Sequence, residues 1–323
     1  PEHGHTPGVE TTTGPLGQGL GNAVGMAIAE RLIAQRFNRP GHSLMDHRTW
    51  VIASDGDLME GVASEAASLA GHLRLGKLIV IYDDNHITID GNTARTFSED
   101  VGRRFEAYGW RVLHVDDGND LEAINRALSK AGKDRGKPTL IRIRTIIGFP
   151  APTRQNSAKA HGEPLGADEV RKTKEILGWP LDQPFHVPAE VTGEIADHQS
   201  AGERVRNGWD RRLRKYRKEF PELAQEFASA LSGAVRPDWA TVTPQFPAGN
   251  ALATRQASAT TLQALVEVIP TLAGGSADLA GSTGTNLVGL TTFGPQEVGR
   301  NFAWGIREHG MASAMNGMAL HGG

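Results

Sequence analysis

Short apolar runs alternate with helix-forming stretches through the first half of the chain. The runs are rich in Val and Ile, which is typical of strands buried on both faces of a parallel sheet. We predict strands at 49–53, 78–82, 111–115 and 139–146. We predict intervening helices at 59–73, 98–108 and 120–131. Repeated strand–helix units of this kind favour an α/β fold with a doubly wound parallel sheet.

Two of these strands end in side chains that carry oxygen ligands. The first leads into Asp55, within Ser-Asp-Gly-Asp at 54–57, and the second leads into Asn85, within Asp-Asp-Asn at 83–85. Successive parallel strands lie side by side, and α/β sheets bind ligands at the carboxyl ends of their strands. A carboxylate and an amide oxygen that converge there suit Mg²⁺, which completes its shell with phosphate oxygens. The pattern therefore predicts a site for a metal-bound diphosphate.

A stretch rich in proline and glycine at 234–252 is the predicted linker, and it divides the chain into two domains. A first domain is predicted at 1–233, and 253–323 resembles the beginning of a second α/β domain. Its first helix is predicted at 255–268 and its first strand at 271–278. Further helices are predicted at 22–34, 168–177 and 199–231.

Composition narrows the class of protein. The 323 residues include no cysteine, which excludes disulfides and thiolate metal sites and is typical of a reducing, cytoplasmic compartment. A net charge of −3 provides no basic surplus for nucleic acid, and no apolar run is long enough to span a membrane. The basic run at 211–218 is therefore interpreted as an exposed helix face. We expect neither a nucleic-acid partner nor a membrane.

The ends of the sequence suggest a piece of a longer protein. The chain starts at Pro1 without a methionine, and it stops at Gly323 directly after an apolar stretch that resembles a helix within a domain.

Several motifs in chain order resemble those of transketolases, the thiamine-diphosphate-dependent transferases, over essentially the whole chain. They are VETTTGPLGQG at 9–19, DGDLMEG at 55–61, YDDN at 82–85 with IDG at 89–91, RFEAYGW at 104–110, TIIGF at 145–149, HGEPLG at 161–166, GGSADL at 274–279 and IREHGM at 306–311.

The resemblance implies a fold, an activity and partners. Residues 1–233 would form a diphosphate-binding domain that lacks its N-terminal part, and 253–323 would begin a pyrimidine-binding domain. The complete protein would move a two-carbon ketol group from a ketose phosphate to an aldose phosphate through the thiamine diphosphate ylid. Xylulose 5-phosphate and ribose 5-phosphate would be typical substrates, as in the pentose phosphate pathway. The family acts as a cytoplasmic homodimer with active sites between the subunits.

The resemblance also implies roles for individual residues around the cofactor. Mg²⁺, which Ca²⁺ or Mn²⁺ can replace, would be bound by Asp55, Asn85 and the main-chain carbonyl of Ile87. The other residues implied in cofactor binding are Gly14, Pro15, Leu16, Gly56, His161, Asp278 and Glu308. The Gly14–Leu16 loop would lie beside the cofactor ring, although a glycine loop before a helix also suits phosphate.

Catalysis and substrate binding are implied for a second group of residues. Glu308 would share a proton with the aminopyrimidine ring from a dry pocket, where burial raises the pKa of a carboxyl. His161 would lie near the diphosphate and the reacting end of the sugar. Arg255 and Ser282 would bind the sugar phosphate. Glu60 and Glu65 match interface glutamates, and Asp278 also matches an interface acid; an exposed helix face explains Glu60 and Glu65 equally well.

The chain departs from the family pattern at three places. Ser54 replaces a glycine, and Asp57 stands where cysteine is frequent. Pro1 and Glu2 match the last two residues of a Gly-His-Pro-Glu motif, so the histidine of that motif would immediately precede Pro1.

Three other interpretations stay open at this point. A dihydroxyacetone synthase uses the same cofactor with formaldehyde as acceptor. A catalytically silent fragment would serve only in assembly, and the fragment alone is expected to be inactive. A nicotinamide-binding domain requires a glycine-rich turn directly after its first strand, and the cluster at 14–21 follows no clear strand.

Overall fold

The computed structural model of the chain describes residues 2–233, 237–249 and 251–323. The strands are β1 Thr49–Ser54, β2 Leu78–Asp84, β3 Ile87–Thr88, β4 Gly91–Asn92, β5 Arg111–Val115, β6 Thr139–Arg144, β7 Gly274–Ser276 and β8 Asn301–Ala303. The helices are α1 Gln18–Phe37, α2 Asp55–Met59, α3 Gly61–His72, α4 Val101–Ala107, α5 Leu121–Lys133, α6 Lys159–Gly162, α7 Ala167–Leu177, α8 Ala189–Glu219, α9 Pro221–Leu231, α10 Trp239–Val242, α11 Thr254–Val268, α12 Ala280–Thr283 and α13 Glu308–His321.

The main sheet has four parallel strands in the order β1-β2-β6-β5, with Ser54 paired to Asp83 at the end of the first pair. Side chains alternate between its two faces because a strand has a period of two residues. On one face, Leu78 and Val80 pack in a core shared with α1 and α3. On the other, Ile79 and Ile141 pack against α5. Helices on both faces confirm the predicted doubly wound α/β fold.

Two predicted helices are divided in the structure. The helix predicted at 59–73 is split at Glu60, which takes an extended conformation between α2 and α3. The one predicted at 199–231 begins earlier and is split at Phe220, because Pro221 starts α9 and cannot continue the preceding helix.

The second domain contains a small parallel sheet formed by β7 and β8. The strand predicted at 271–278 is shorter in the structure and spans 274–276. Residues 234–236 and 250 of the predicted linker lie outside the described residues, as does Pro1, and α10 occupies part of the linker that is described. The boundaries of the domains stay a prediction.

Helix α1 and helix α13 join the two halves of the chain through close contact of small residues. An ideal Cβ built on Gly25 would lie 1.9 Å from the carbonyl oxygen of Ala314, and one on Gly317 would lie 1.8 Å from that of Asn22. At both positions there is room for the hydrogen atom of glycine but not for a side-chain carbon. Small residues in α1 and α13 therefore permit close packing of the two helices.

None of the helices in the described ranges is both long enough and apolar enough to span a membrane.

We expect Gly25→Ala to lower the free energy of unfolding by about 1–3 kcal/mol, because the added methyl group forces the helix pair apart. Chemical denaturation measures the change. Gly132→Ala in α5 is the matched control, since no atom lies within 4 Å of its ideal Cβ. There the same substitution should be neutral or stabilise by less than about 1 kcal/mol. Equal destabilisation by both variants would contradict the close-packing argument.

Candidate functional site

The Asp55 carboxylate is buried at the point where β1 meets α2, with 2% of the residue exposed. One carboxylate oxygen, Oδ1, accepts a hydrogen bond of 2.8 Å from the Tyr82 hydroxyl, and Oδ2 accepts one of 3.1 Å from the backbone N–H of His86. Burial raises the pKa of Asp55 above its usual value, because a charge removed from water is destabilised. A cation beside this carboxylate would offset that cost.

The second predicted ligand, Asn85, lies in the turn that follows β2. Its Oδ1 accepts a hydrogen bond of 2.9 Å from the backbone N–H of Ile87, and its amide nitrogen donates to Asp83 at 3.2 Å. His86 between them has a φ of 61°, which turns the chain sharply and brings its N–H to Asp55. The structure therefore brings Asp55, Asn85 and Ile87 together at one sheet edge.

The donor set suits a hard cation. It offers a carboxylate, an amide oxygen and the Ile87 main-chain carbonyl, which is the all-oxygen set that Mg²⁺ prefers. Across residues 2–233, 237–249 and 251–323, no group of three or more His, Cys, Asp or Glu side chains is placed to hold a metal. A metal at this edge would therefore depend on neutral oxygens and on the phosphates of a bound ligand.

A second buried carboxylate, Asp84, supports the first, and sequence reasoning missed it. Its Oδ2 accepts a hydrogen bond of 2.5 Å from Arg142 Nε, and its Oδ1 accepts one of 3.1 Å from the Tyr82 hydroxyl. His86 Nε2 lies 3.0 Å from the same Oδ1. The strand period was the available signal, since it places Tyr82 and Asp84 on one face of β2.

The predicted cofactor loop lies directly over the Asp55 turn. Gly14, Pro15 and Leu16 are exposed, and the Leu16 Cδ1 atom is 3.0 Å from an ideal Cβ built on Gly56. A side chain at Gly56 would therefore displace Leu16. The structure brings the loop and Gly56 together, and their role in cofactor binding stays a prediction.

His161 is not joined to the predicted metal ligands by hydrogen bonds in the described part of the chain. It is exposed on the short helix α6, and within the described ranges its ring forms no hydrogen bond or ion pair with Asp55 or Asn85. Its loop nevertheless starts beside the site, because the Thr145 backbone N–H donates to the Asp84 carbonyl at 3.2 Å and its hydroxyl donates to Asp83.

The predicted residues of the second domain follow its two strands. Asp278 comes after β7 and Glu308 begins α13 after β8, and both are exposed. In the described residues, no hydrogen bond or ion pair joins the Glu308 side chain to Asp55. The dry pocket expected around Glu308 is therefore not formed by this chain alone.

Arg255 and Ser282, the predicted phosphate ligands, are also exposed, and they lie on the adjoining helices α11 and α12. An ideal Cβ on Gly284, directly after α12, would be 3.7 Å from the Arg255 carbonyl oxygen. Both side chains are accessible to a ligand.

Glu65 has a contact that the sequence did not predict. One of its carboxylate oxygens accepts a hydrogen bond of 2.7 Å from the backbone N–H of Gly310, in the first turn of α13. Arg307 also donates to the Ser68 hydroxyl at 3.2 Å. Glu65 therefore fixes the start of the helix that carries Glu308. Glu60 is exposed, and the interface roles of both glutamates stay predictions.

The sequence matches two known domains in the same order. Residues 1–236 match the thiamine diphosphate binding domain of transketolase. The chain belongs to the transketolase family. Residues 250–323 match the pyrimidine binding domain of transketolase. A nicotinamide-binding domain is therefore set aside.

Transketolases from several organisms are similar along the whole chain. Those of Halalkalibacterium halodurans and Geobacillus stearothermophilus are 48% and 49% identical to it, with all of this chain covered. These matches cover 48% and 49% of the two relatives. The chain thus spans about half the length of the curated transketolases that it matches.

Solved transketolase structures have the same fold. The Leishmania mexicana enzyme matches with a TM-score of 0.96 at 41% identity, covering 100% of this chain and 48% of that one. A Pichia stipitis transketolase complexed with sedoheptulose-7-phosphate matches with a TM-score of 0.95 at 41% identity, covering 100% and 49%. The parallel α/β architecture is therefore that of transketolases.

We expect Tyr82→Phe to lower the free energy of unfolding by about 1–3 kcal/mol, because two buried carboxylates lose the single hydroxyl hydrogen that they share. Chemical denaturation at neutral pH measures the effect. Tyr108→Phe is the control, since that ring packs edge-on against Phe105 outside the network, with centroids 5.9 Å apart. It should change the stability by less than about 0.5 kcal/mol. A Tyr82 variant as stable as the control would show that the network contributes nothing.

Proposed function

We propose that the protein is a transketolase, which transfers a two-carbon ketol group from a ketose phosphate to an aldose phosphate. Xylulose 5-phosphate and ribose 5-phosphate are the proposed donor and acceptor. The observation that carries the proposal is the convergence of Asp55, Asn85 and Ile87 at one sheet edge, inside the part of the chain that matches the thiamine diphosphate binding domain. A cytoplasmic location and a place in the pentose phosphate pathway stay predictions.

The proposed cofactors are thiamine diphosphate and Mg²⁺, with Ca²⁺ or Mn²⁺ as possible substitutes. Asp55, Asn85 and the Ile87 carbonyl would hold the metal, which in turn would bind the diphosphate. The close contact of Leu16 with Gly56 supports a role for the Gly14–Leu16 loop beside the ring. When bound, thiamine diphosphate supplies the carbon that takes up and releases the two-carbon unit.

Each of the remaining residues would contribute binding or proton transfer. Glu308 would share a proton with a ring nitrogen of the cofactor, and His161 would face the reacting end of the sugar. Arg255 and Ser282 would bind the sugar phosphate, for which a guanidinium offers paired charge-assisted hydrogen bonds. The exposure of both side chains supports this role. Related structures include complexes with xylulose-5-phosphate and fructose-6-phosphate.

We propose that the protein acts as a homodimer with its active sites at the subunit interface. Support comes from the position of Glu308, which is exposed and, within the described residues, makes no hydrogen bond with the Asp55 turn of its own chain. A carboxyl that must work in a dry pocket therefore requires another surface. In the dimer, Glu308 and Asp278 would face the cofactor held by the partner subunit's Asp55 and Asn85.

The decisive assay uses the full-length protein with xylulose 5-phosphate, ribose 5-phosphate, Mg²⁺ and thiamine diphosphate. We expect a seven-carbon sugar phosphate, detected by mass spectrometry. The control reaction replaces ribose 5-phosphate with formaldehyde. A preference for formaldehyde would identify a dihydroxyacetone synthase instead, and the absence of transfer to either acceptor would leave a catalytically silent protein.

Two variants of the same protein should separate binding from catalysis. Asp55→Ala should abolish Mg²⁺-dependent binding of thiamine diphosphate in calorimetry, because the only charged metal ligand is lost. Glu308→Ala should keep that binding within a few-fold while kcat falls by about 10²–10⁴, the usual contribution of acid–base catalysis. Equal loss of cofactor binding in both variants would contradict the roles proposed here.

A further inference from the structure

Ser54 and Asp57, which lie on either side of Asp55 in the sequence, contact each other. Asp57 Oδ2 accepts a hydrogen bond of 2.9 Å from the Ser54 backbone N–H and a longer one of 3.3 Å from the Ser54 hydroxyl. These bonds close the first turn of α2 around Asp55, the proposed metal ligand, as a carboxylate does in a capping box. Ser54 and Asp57 thus form one local structure.

The second carboxylate oxygen of Asp57 reaches a different segment of the chain. Asp57 Oδ1 accepts a hydrogen bond of 3.1 Å from the backbone N–H of Gly17, which is buried directly after the exposed Gly14–Leu16 loop. Gly17 has a φ of 77°, and an ideal Cβ there would be 2.6 Å from Glu60 Cβ. The loop therefore lies tightly on α2 at the point where Asp57 binds it.

We propose that Asp57 is a positioning residue that fixes the Gly14–Leu16 loop to the metal-binding turn in the geometry that the cofactor requires. One side chain spans the two segments, with one oxygen bonded to each. The inference rests on the proposed function, because the cofactor that it serves is thiamine diphosphate. It assigns Asp57 a role outside the predicted ligand set.

The chemistry of the carboxylate matters to this role. Two backbone N–H groups face two acceptor oxygens, and an ionised carboxylate offers acceptors only. An asparagine would place an NH₂ group against one of the two N–H donors. Asp57→Asn should therefore lose one of the two bonds, although its size is unchanged. A residue needed only to cap α2 would tolerate this change if the oxygen stayed on Ser54.

The test compares the full-length wild-type protein with its variants by hydrogen–deuterium exchange and by calorimetry. Without cofactor, hydrogen–deuterium exchange at the Gly17 amide should become at least about tenfold faster in Asp57→Ala, since loss of a charge-assisted bond of this kind corresponds to about 1.4 kcal/mol or more. With saturating Mg²⁺, the calorimetric Kd for thiamine diphosphate should rise about tenfold in Asp57→Ala and Asp57→Asn.

Asp120→Ala is the matched control, because that carboxylate caps α5 by accepting a hydrogen bond of 2.9 Å from the Ala123 backbone N–H. It should lower the melting temperature without changing either readout. Unchanged Gly17 exchange in Asp57→Ala would overturn the inference, and so would faster exchange with an unchanged Kd. Wild-type protein that binds no thiamine diphosphate would overturn the proposed function, and the cofactor role of Asp57 with it.

Discussion

The buried charge of Asp55 is the constraint on which the rest of the site depends. An ionised carboxylate with 2% exposure is costly unless its oxygens are hydrogen-bonded or paired with a cation. The structure meets this cost in part, through one bond from Tyr82 and one from the His86 backbone. The raised pKa of Asp55 shows that burial outweighs these bonds. A positive ion beside Asp55, as proposed, would offset the remaining cost.

This constraint extends into the sheet and the loops around it. Tyr82 can donate to Asp55 because β2 is the parallel neighbour of β1, and it is oriented by Asp84, which is itself bonded to Arg142 on β6. On the other side of Asp55, the Asp57 carboxylate joins the turn to the loop that precedes α1. The predicted ligands are therefore held by residues from several distant segments, and a loss at one of them would affect the others.

The packing of α13 on α1 and α3 determines the position of Glu308 in the second half of the chain. Glycines at the contact allow the helix backbones to approach closely, and Glu65 fixes the first turn of α13. Glu308 is consequently exposed on a rigid element instead of enclosed within its own chain. This exposure supports the proposed dimer, in which another subunit would complete the surroundings of Glu308.

The sequence by itself determined the parallel α/β class, the strand ends that carry Asp55 and Asn85, and the family, because hydrophobic periodicity and motif order are local properties of the chain. The resemblance of its motifs also assigned Leu16 and Gly56 to one predicted site. Only the tertiary structure decided which side chains support these strand ends and the start of α13. Tyr82, Arg142 and Glu65 act through contacts with residues far away in sequence, and such contacts depend on strand register and helix packing. Ser54 and Asp57 are close in sequence, so their contact is local. The hydrogen bond from Gly17 to Asp57 exists only because the loop before α1 folds onto α2.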